Sequence, residues 1–183
     1  MARQKKPAAP PLSVDAAALA NAALRYLNRR DASRTKLTEH LERWLAQKAA
    51  PEQLPVLRAS LRELLDRYQA SGLLDDERLA HNAVRSLRAR GKSARAISYK
   101  LSTQGVGAAS IEAALGADRR ENRDAELAAA KALVQKRRLG MFRPEAERAE
   151  KRRKDLAVLA RAGFDFDTCR KALGAGDVAD DEF

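Results

Sequence analysis

One cysteine, one tryptophan and two histidines in 183 residues leave little from which to build a redox, metal or catalytic site. Cys169 has no second thiol to pair with, which fits a reducing compartment. Neither His40 nor His81 has a Cys, Asp or Glu at metal-ligand spacing that would form a recognisable site. Aromatic residues make up only 4% of the chain, which argues against a β-sandwich or a large aromatic-lined pocket. No apolar run approaches the roughly 18 residues that span a bilayer. The basic start, Met1 to Pro7, has no apolar stretch behind it and is not a secretory signal. A cytoplasmic protein is expected.

The few candidates for chemistry have simpler readings. Gly105-Val106-Gly107 has no strand before it and no Lys-Ser/Thr after it, so it is not a phosphate loop. Asp75-Asp76 stands where a helix should begin, and adjacent carboxylates there complement the positive helix terminus. Cys169 falls at an apolar helical position and reads as a small buried hydrophobe rather than a nucleophile. No enzymatic activity, cofactor or metal is expected.

What the chain does contain is Ala, Leu and charge. The apolar share is 45%, charged residues are 33%, and the net charge is +11. Such a composition favours helices packed through small residues and a field that attracts polyanions.

Sliding the sequence 60 positions along itself places Ala23-Leu24-Arg25 on Ala83-Val84-Arg85, Arg30 on Arg90, Ser33 on Ser93, Leu37 on Ile97 and Leu41 on Leu101. A fainter copy follows 58 positions later, with Leu101 on Leu159, Gly105 on Gly163 and Ala114-Leu115 on Ala172-Leu173. Apolar residues at steps of three and four, Pro51 and Pro55 at one helix start, Ser33 and Ser93 as N-caps and glycines at helix ends mark three helices per copy. Expected spans are 15–30, one from Ser33 carrying Leu37, Leu41, Trp44 and Leu45, and 51–70, then 76–90, 93–104 and 108–115, then 123–138, 144–162 and 167–173. The fold class is therefore all-α, an elongated tandem array of three three-helix repeats, because units this small bury their apolar faces against neighbours. The divisions are a Pro-rich basic arm (1–13), repeat 1 (14–70), repeat 2 (71–117), repeat 3 (118–174) and an acidic tail (175–183).

The basic residues are not spread evenly. At 100° per residue, Leu79, Ala80, Ala83, Val84 and Leu87 share one face of the helix from Asp76. Arg78, His81, Arg85 and Arg88 gather opposite. On the next helix Arg95, Tyr99 and Lys100 face outward. Tyr99 there fits a stacking contact to a base, an anchor in a protein interface, or packing against a neighbouring unit. Repeat 3 holds the densest clusters, Lys136-Arg137-Arg138, Arg143 and Lys151-Arg152-Arg153-Lys154. From Arg119 to Lys154 thirteen Lys and Arg face six Asp and Glu, a surplus of seven. Glu147–Lys151 and Glu150–Lys154 are spaced as helical ion pairs and account for only part of it. Arg25 is the matching cation of repeat 1.

Gly72-Leu73-Leu74-Asp75-Asp76-Glu77-Arg78-Leu79-Ala80 resembles the G-hydrophobic-L-D-D-E-R-F-A motif of the RecX family, the bacterial modulators of the RecA recombinase, with Leu79 replacing the usual aromatic. The resemblance continues through Ala89-Arg90-Gly91-Lys92-Ser93 to Gln104-Gly105-Val106, where the family usually has a basic residue at the position of Gln104. Arg161-Ala162-Gly163-Phe164 is similar to the family's C-terminal R-x-G-F motif, and Ala23 to Leu27 with Ser33-Arg34 agree in repeat 1. It extends over residues 16–173. It implies a monomeric, non-enzymatic negative regulator of recombination, DNA repair and the SOS response. Such a protein binds along the groove or at the end of a RecA–single-stranded-DNA filament, touches duplex more weakly, and inhibits ATPase, coprotease and strand exchange. The resemblance places the contact surface on the cations named above. The competing reading, a helix-turn-helix transcription regulator, lacks a recognition helix rich in base-reading side chains. A membrane-surface protein would need a Trp/Phe/Leu face on its cationic helices, which is missing.

Overall fold

The computed structural model describes residues 14–174, and among these it contains nine α-helices and no strand. The expected arm at 1–13 and tail at 175–183 lie outside the described residues. The chain divides into two compact units, one ending at Asp75 and one beginning at Asp76.

In the first unit α1 (Ala16–Leu27), α2 (Arg34–Lys48) and α3 (Leu54–Ala70) pack on one another. Ser33 caps α2 as its spacing demands, its hydroxyl accepting from the Lys36 amide at 3.2 Å. Pro51 opens a 3-10 turn, Pro51–Gln53, that leads into α3. Leu19, Leu37, Leu41, Leu45, Leu57, Leu61, Leu64 and Leu65 form the core, with Trp44 and Tyr68 half-buried at its edge. Ala16 and Leu24 on α1 are exposed. Gly72 closes the unit with φ +72°, a left-handed turn that a side chain would strain.

The second unit contains two cores. One lies among α4 (Asp76–Ala89), α5 (Ala94–Thr103) and α6 (Ala108–Glu121), with Val84, Ile97, Leu101, Val106 and Ile111 at its centre. The other lies among α7 (Ala125–Arg137), α8 (Glu145–Arg161) and α9 (Phe166–Ala172), around Val134, Leu139, Leu159, Phe164 and Cys169. Cys169 is buried as expected, and burial, with Asp165 nearby, pushes its thiol pKa up and away from reactivity.

The helix expected to stop at Leu115 continues as α6 through Glu121, across the boundary drawn at 117/118. The extension buries no large apolar side chain, but it carries Asp118 to Arg88, which gives it a reason to persist. α7 has no single apolar stripe because it is buried on two sides. It packs against α8 and α9 in its own repeat and against α4 in the preceding one, through Ala125, Ala129, Ala130, Leu133 and Val134. Small residues allow that closeness. A Cβ on Gly91 would lie 2.9 Å from the Leu133 amide nitrogen, so the turn after α4 reaches the α7 backbone only as glycine.

Candidate filament and nucleic-acid interface

Two arginines among the expected contact residues are tied into the structure. Arg88 keeps only 9% of its side-chain surface exposed. Its guanidinium binds Asp118 at 2.9 Å and Glu126 at 2.6 Å and donates to the Lys92 carbonyl at 3.2 Å. Glu126 also accepts from the Ala94 amide at 3.1 Å, so one carboxylate serves both the arginine and the start of α5. Arg88 is therefore a clamp between repeats 2 and 3 and not part of a free basic face. A wheel of one helix sees only that helix. The acids that capture Arg88 come from α6 and α7, 30 and 38 residues away in sequence.

Arg143 is the second correction. It holds Asp155, which is 1% exposed, through Nε at 2.8 Å and a terminal nitrogen at 2.7 Å. The Gly140 amide donates to the same carboxylate at 2.9 Å. Burial alone would raise the Asp155 pKa, but the Arg143 and Gly140 hydrogen bonds outweigh it and hold the carboxyl below its ordinary range. This clasp fixes the 3-10 turn Gly140–Phe142 against α8, and Arg143 serves the fold.

The remaining cations of repeats 2 and 3 are displayed. Arg78 and Arg85 on α4, and Arg95 and Lys100 on α5, are exposed, with Tyr99 beside them 73% exposed. Tyr99 therefore projects and does not serve as a packing residue of its own unit. Lys136, Arg137 and Arg138 end α7 in the open. Arg138 caps the helix in the left-handed region, φ 52°, where glycine is the usual residue. On α8, Arg152, Arg153 and Lys154 are exposed, while Lys151 pairs with its neighbour Glu150 at 2.6 Å. The expected Glu147–Lys151 and Glu150–Lys154 ion pairs do not form: Glu150 is drawn to the adjacent lysine. Arg85, Arg95, Lys100, Lys136, Arg137, Arg138, Arg152, Arg153 and Lys154 form no ion pair among the described residues.

In repeat 1, Arg25 lines a groove of about 450 Å³ between α1 and α2. The other walls are Tyr26, Arg29, Arg30, His40, Arg43 and Trp44, none of which stands out from the sequence as a site residue. Their signal is nonetheless present in the spacing. Positions 22, 25 and 26 make one stripe of α1, with 29 in the turn just after it, and 40, 43 and 44 make one stripe of α2. Tyr26 and His40 stack with ring centres 4.2 Å apart, and the Arg30 guanidinium sits 5.4 Å from the Tyr26 ring centre.

No group of three or more His, Cys, Asp or Glu side chains among the described residues could hold a metal ion. No helix there is long and apolar enough to cross a membrane.

The comparisons with known proteins agree with this architecture. Residues 75–115, the α4–α6 repeat, match the family model described as RecX, second three-helix domain. The chain is 36% identical over 167 residues to the regulatory protein RecX of Myxococcus xanthus (strain DK1622), covering 89% of this chain and 88% of that protein. Its fold is similar to the crystal structure of RecX from Lactobacillus salivarius, with a TM-score of 0.64 at 19% identity over 86% of this chain and 94% of that one. A second crystal structure of regulatory protein RecX matches with a TM-score of 0.62 at 21% identity, over 86% of this chain and 72% of that one. With an identity this high over most of both chains, and the helical repeats in place, the chain belongs to the RecX family of regulatory proteins.

Proposed function

We propose that this chain regulates RecA by binding the RecA–single-stranded-DNA filament and lowering its ATPase, coprotease and strand-exchange activities, as a cytoplasmic, non-enzymatic monomer. The observation that carries the reading is the set of cations without carboxylate partners on α4, α5, α7 and α8, in a chain of net charge +11. A cation left without an internal partner in a chain that has 25 acids is available to an external polyanion. A filament that wraps DNA offers such a surface over a long distance.

The working residues proposed are Arg85, Arg95, Tyr99, Lys100, Lys136, Arg137, Arg138, Arg152, Arg153 and Lys154, with Arg25 and Arg78 at the margins. The test is RecA ATPase as a function of regulator-to-filament ratio, for the wild type and for an Arg85→Glu/Arg95→Glu/Lys100→Glu variant. The wild type inhibits, and the variant melts normally but inhibits far less, since three attractive charges become repulsive. Strongly substoichiometric inhibition indicates end capping, and near-stoichiometric inhibition indicates groove occupancy. Full inhibition by the variant removes this face from the site. Strong preference for one duplex sequence favours the transcription-regulator reading instead.

A further inference from the structure

The groove of repeat 1 carries chemistry that its counterpart in repeat 2 does not. Four arginines, Arg25, Arg29, Arg30 and Arg43, surround it, and none of them pairs with a carboxylate among the described residues. The register of the two repeats is secure, because Ser33 and Ser93 cap α2 and α5 with the same geometry, each accepting from the amide three residues on at 3.2 Å. In that register Arg25 and Arg30 correspond to Arg85 and Arg90, so those two cations are kept, while His40 stands where repeat 2 has Lys100. Tyr26, Arg29, Arg43 and Trp44 correspond to Ser86, Ala89, Thr103 and Gln104. Repeat 1 has thus added two aromatic rings and two guanidinium groups to one groove.

That combination discriminates between anionic partners. Guanidinium groups match phosphate oxygens in a planar, two-pronged geometry. An acidic peptide would be satisfied by charge alone and would leave the rings idle. A duplex hides its base faces. Single-stranded nucleic acid offers phosphates and open base faces together, and base–aromatic stacking tolerates any sequence. The volume, about 450 Å³, falls in the range of small-ligand clefts, about 300–1,000 Å³. Trp44 leans one side on the repeat-1 core and presents the rest to the groove, so it is fixed in place before a base arrives.

We infer that the groove between α1 and α2 is a binding site for single-stranded nucleic acid, with the backbone phosphates on Arg25, Arg29, Arg30 and Arg43 and a base against Trp44. This rests on the reading that the protein contacts DNA, and assigns to repeat 1 a site of its own.

Trp44 is the chain's one tryptophan, so its fluorescence reports this groove and nothing else. The full chain is titrated with oligothymidylate, while anisotropy of a labelled copy of the same oligonucleotide reports total binding. Trp44 emission is quenched over the concentrations at which anisotropy rises. An Arg29→Gln/Arg43→Gln variant, altered only at exposed positions, loses most of the quenching. Its slope of log K against log salt becomes shallower by about 1.4, since each phosphate that is no longer neutralised removes about 0.7. A Lys48→Gln/Arg62→Gln variant, which removes two exposed cations of repeat 1 outside the groove, keeps the quenching. Binding by anisotropy with Trp44 silent and the salt slope of the first variant unchanged overturns this site while leaving DNA binding elsewhere intact. Equal quenching by polyglutamate overturns the nucleic-acid assignment. Absence of any oligonucleotide binding overturns both this site and the DNA binding it rests on.

Discussion

Replacing Arg88 by alanine should cost far more than replacing either Arg85 or Arg95, although all three occupy polar positions of neighbouring helices. The guanidinium is almost enclosed and satisfies Asp118 and Glu126 at once. Truncation leaves two carboxylates facing each other without their cation, and breaking a buried ion pair from one side costs about 3–5 kcal/mol. Asp118 and Glu126 retain 18% and 30% of their side-chain surface in water. Glu126 also keeps its hydrogen bond from the Ala94 amide. Those two facts bring the expected loss down to about 2–3 kcal/mol. Arg85 and Arg95 are exposed and unpaired, so each alanine should shift stability by no more than about 0.5 kcal/mol. Urea unfolding of the three variants measures this directly, as a lower midpoint at unchanged slope for Arg88→Ala. Adding Glu126→Gln to Arg88→Ala should recover part of the loss, since it removes one of the stranded charges. An Arg88→Ala protein as stable as Arg85→Ala would refute the clamp and return Arg88 to the free basic surface.

Three further outcomes follow from particular contacts. Asp155→Asn keeps the shape of the clasp but not its charge and should destabilise by about 1.5–3 kcal/mol, read by thermal or urea unfolding. Because the folded-state pKa of Asp155 is depressed, the wild-type contribution is present above the ordinary carboxylate value, 3.8, and is lost as pH falls through the folded value. Asp155→Asn should therefore flatten the acid limb of a stability–pH profile. Gly163→Ala places a Cβ 2.6 Å from the Ser93 hydroxyl at φ +94°, and should displace the bond of that hydroxyl to the Ala162 carbonyl, 2.7 Å. A cost of about 2 kcal/mol or more is expected from strain and the broken bond together, and wild-type stability would contradict it. His40 has its pKa lowered by burial and then by Arg43 and Arg30, while Tyr26 stacks on its ring. Its stabilising neutrality holds above the ordinary value of 6.5 and is lost as pH falls below it, so His40→Gln should flatten stability through that window. Bound polyanion would offset the arginine charges and favour the protonated ring. Affinity for oligothymidylate should then rise as pH falls in the wild type, and rise less in His40→Gln.

Much of the architecture was legible in the linear order of residues. Leu37, Leu41 and Leu45 recur at a helical period and are buried together, and the same is true of Ile97 and Leu101 one repeat later. Ser33 and Ser93 announce helix starts because their hydroxyls accept from a helix amide that has no partner within the helix. Gly72, Gly91, Gly105 and Gly163 announce stops because each takes a positive φ. Local stereochemistry acts within a turn or two of each residue, so sequence spacing suffices to read it. The partners of Arg88 and Arg143 were decided only by the tertiary structure. A helical wheel gives a direction for each side chain but says nothing about what stands in that direction. Asp118 reaches Arg88 because α6 runs beyond its apolar stripe, and Glu126 because α7 packs on α4 through alanines. The repeat-1 groove is similar, since the stripes of α1 and α2 become one site only when the two helices lie side by side. Which charges are displayed and which are consumed depends on distances between elements, and those are set by the packing of apolar faces that carry no charge at all.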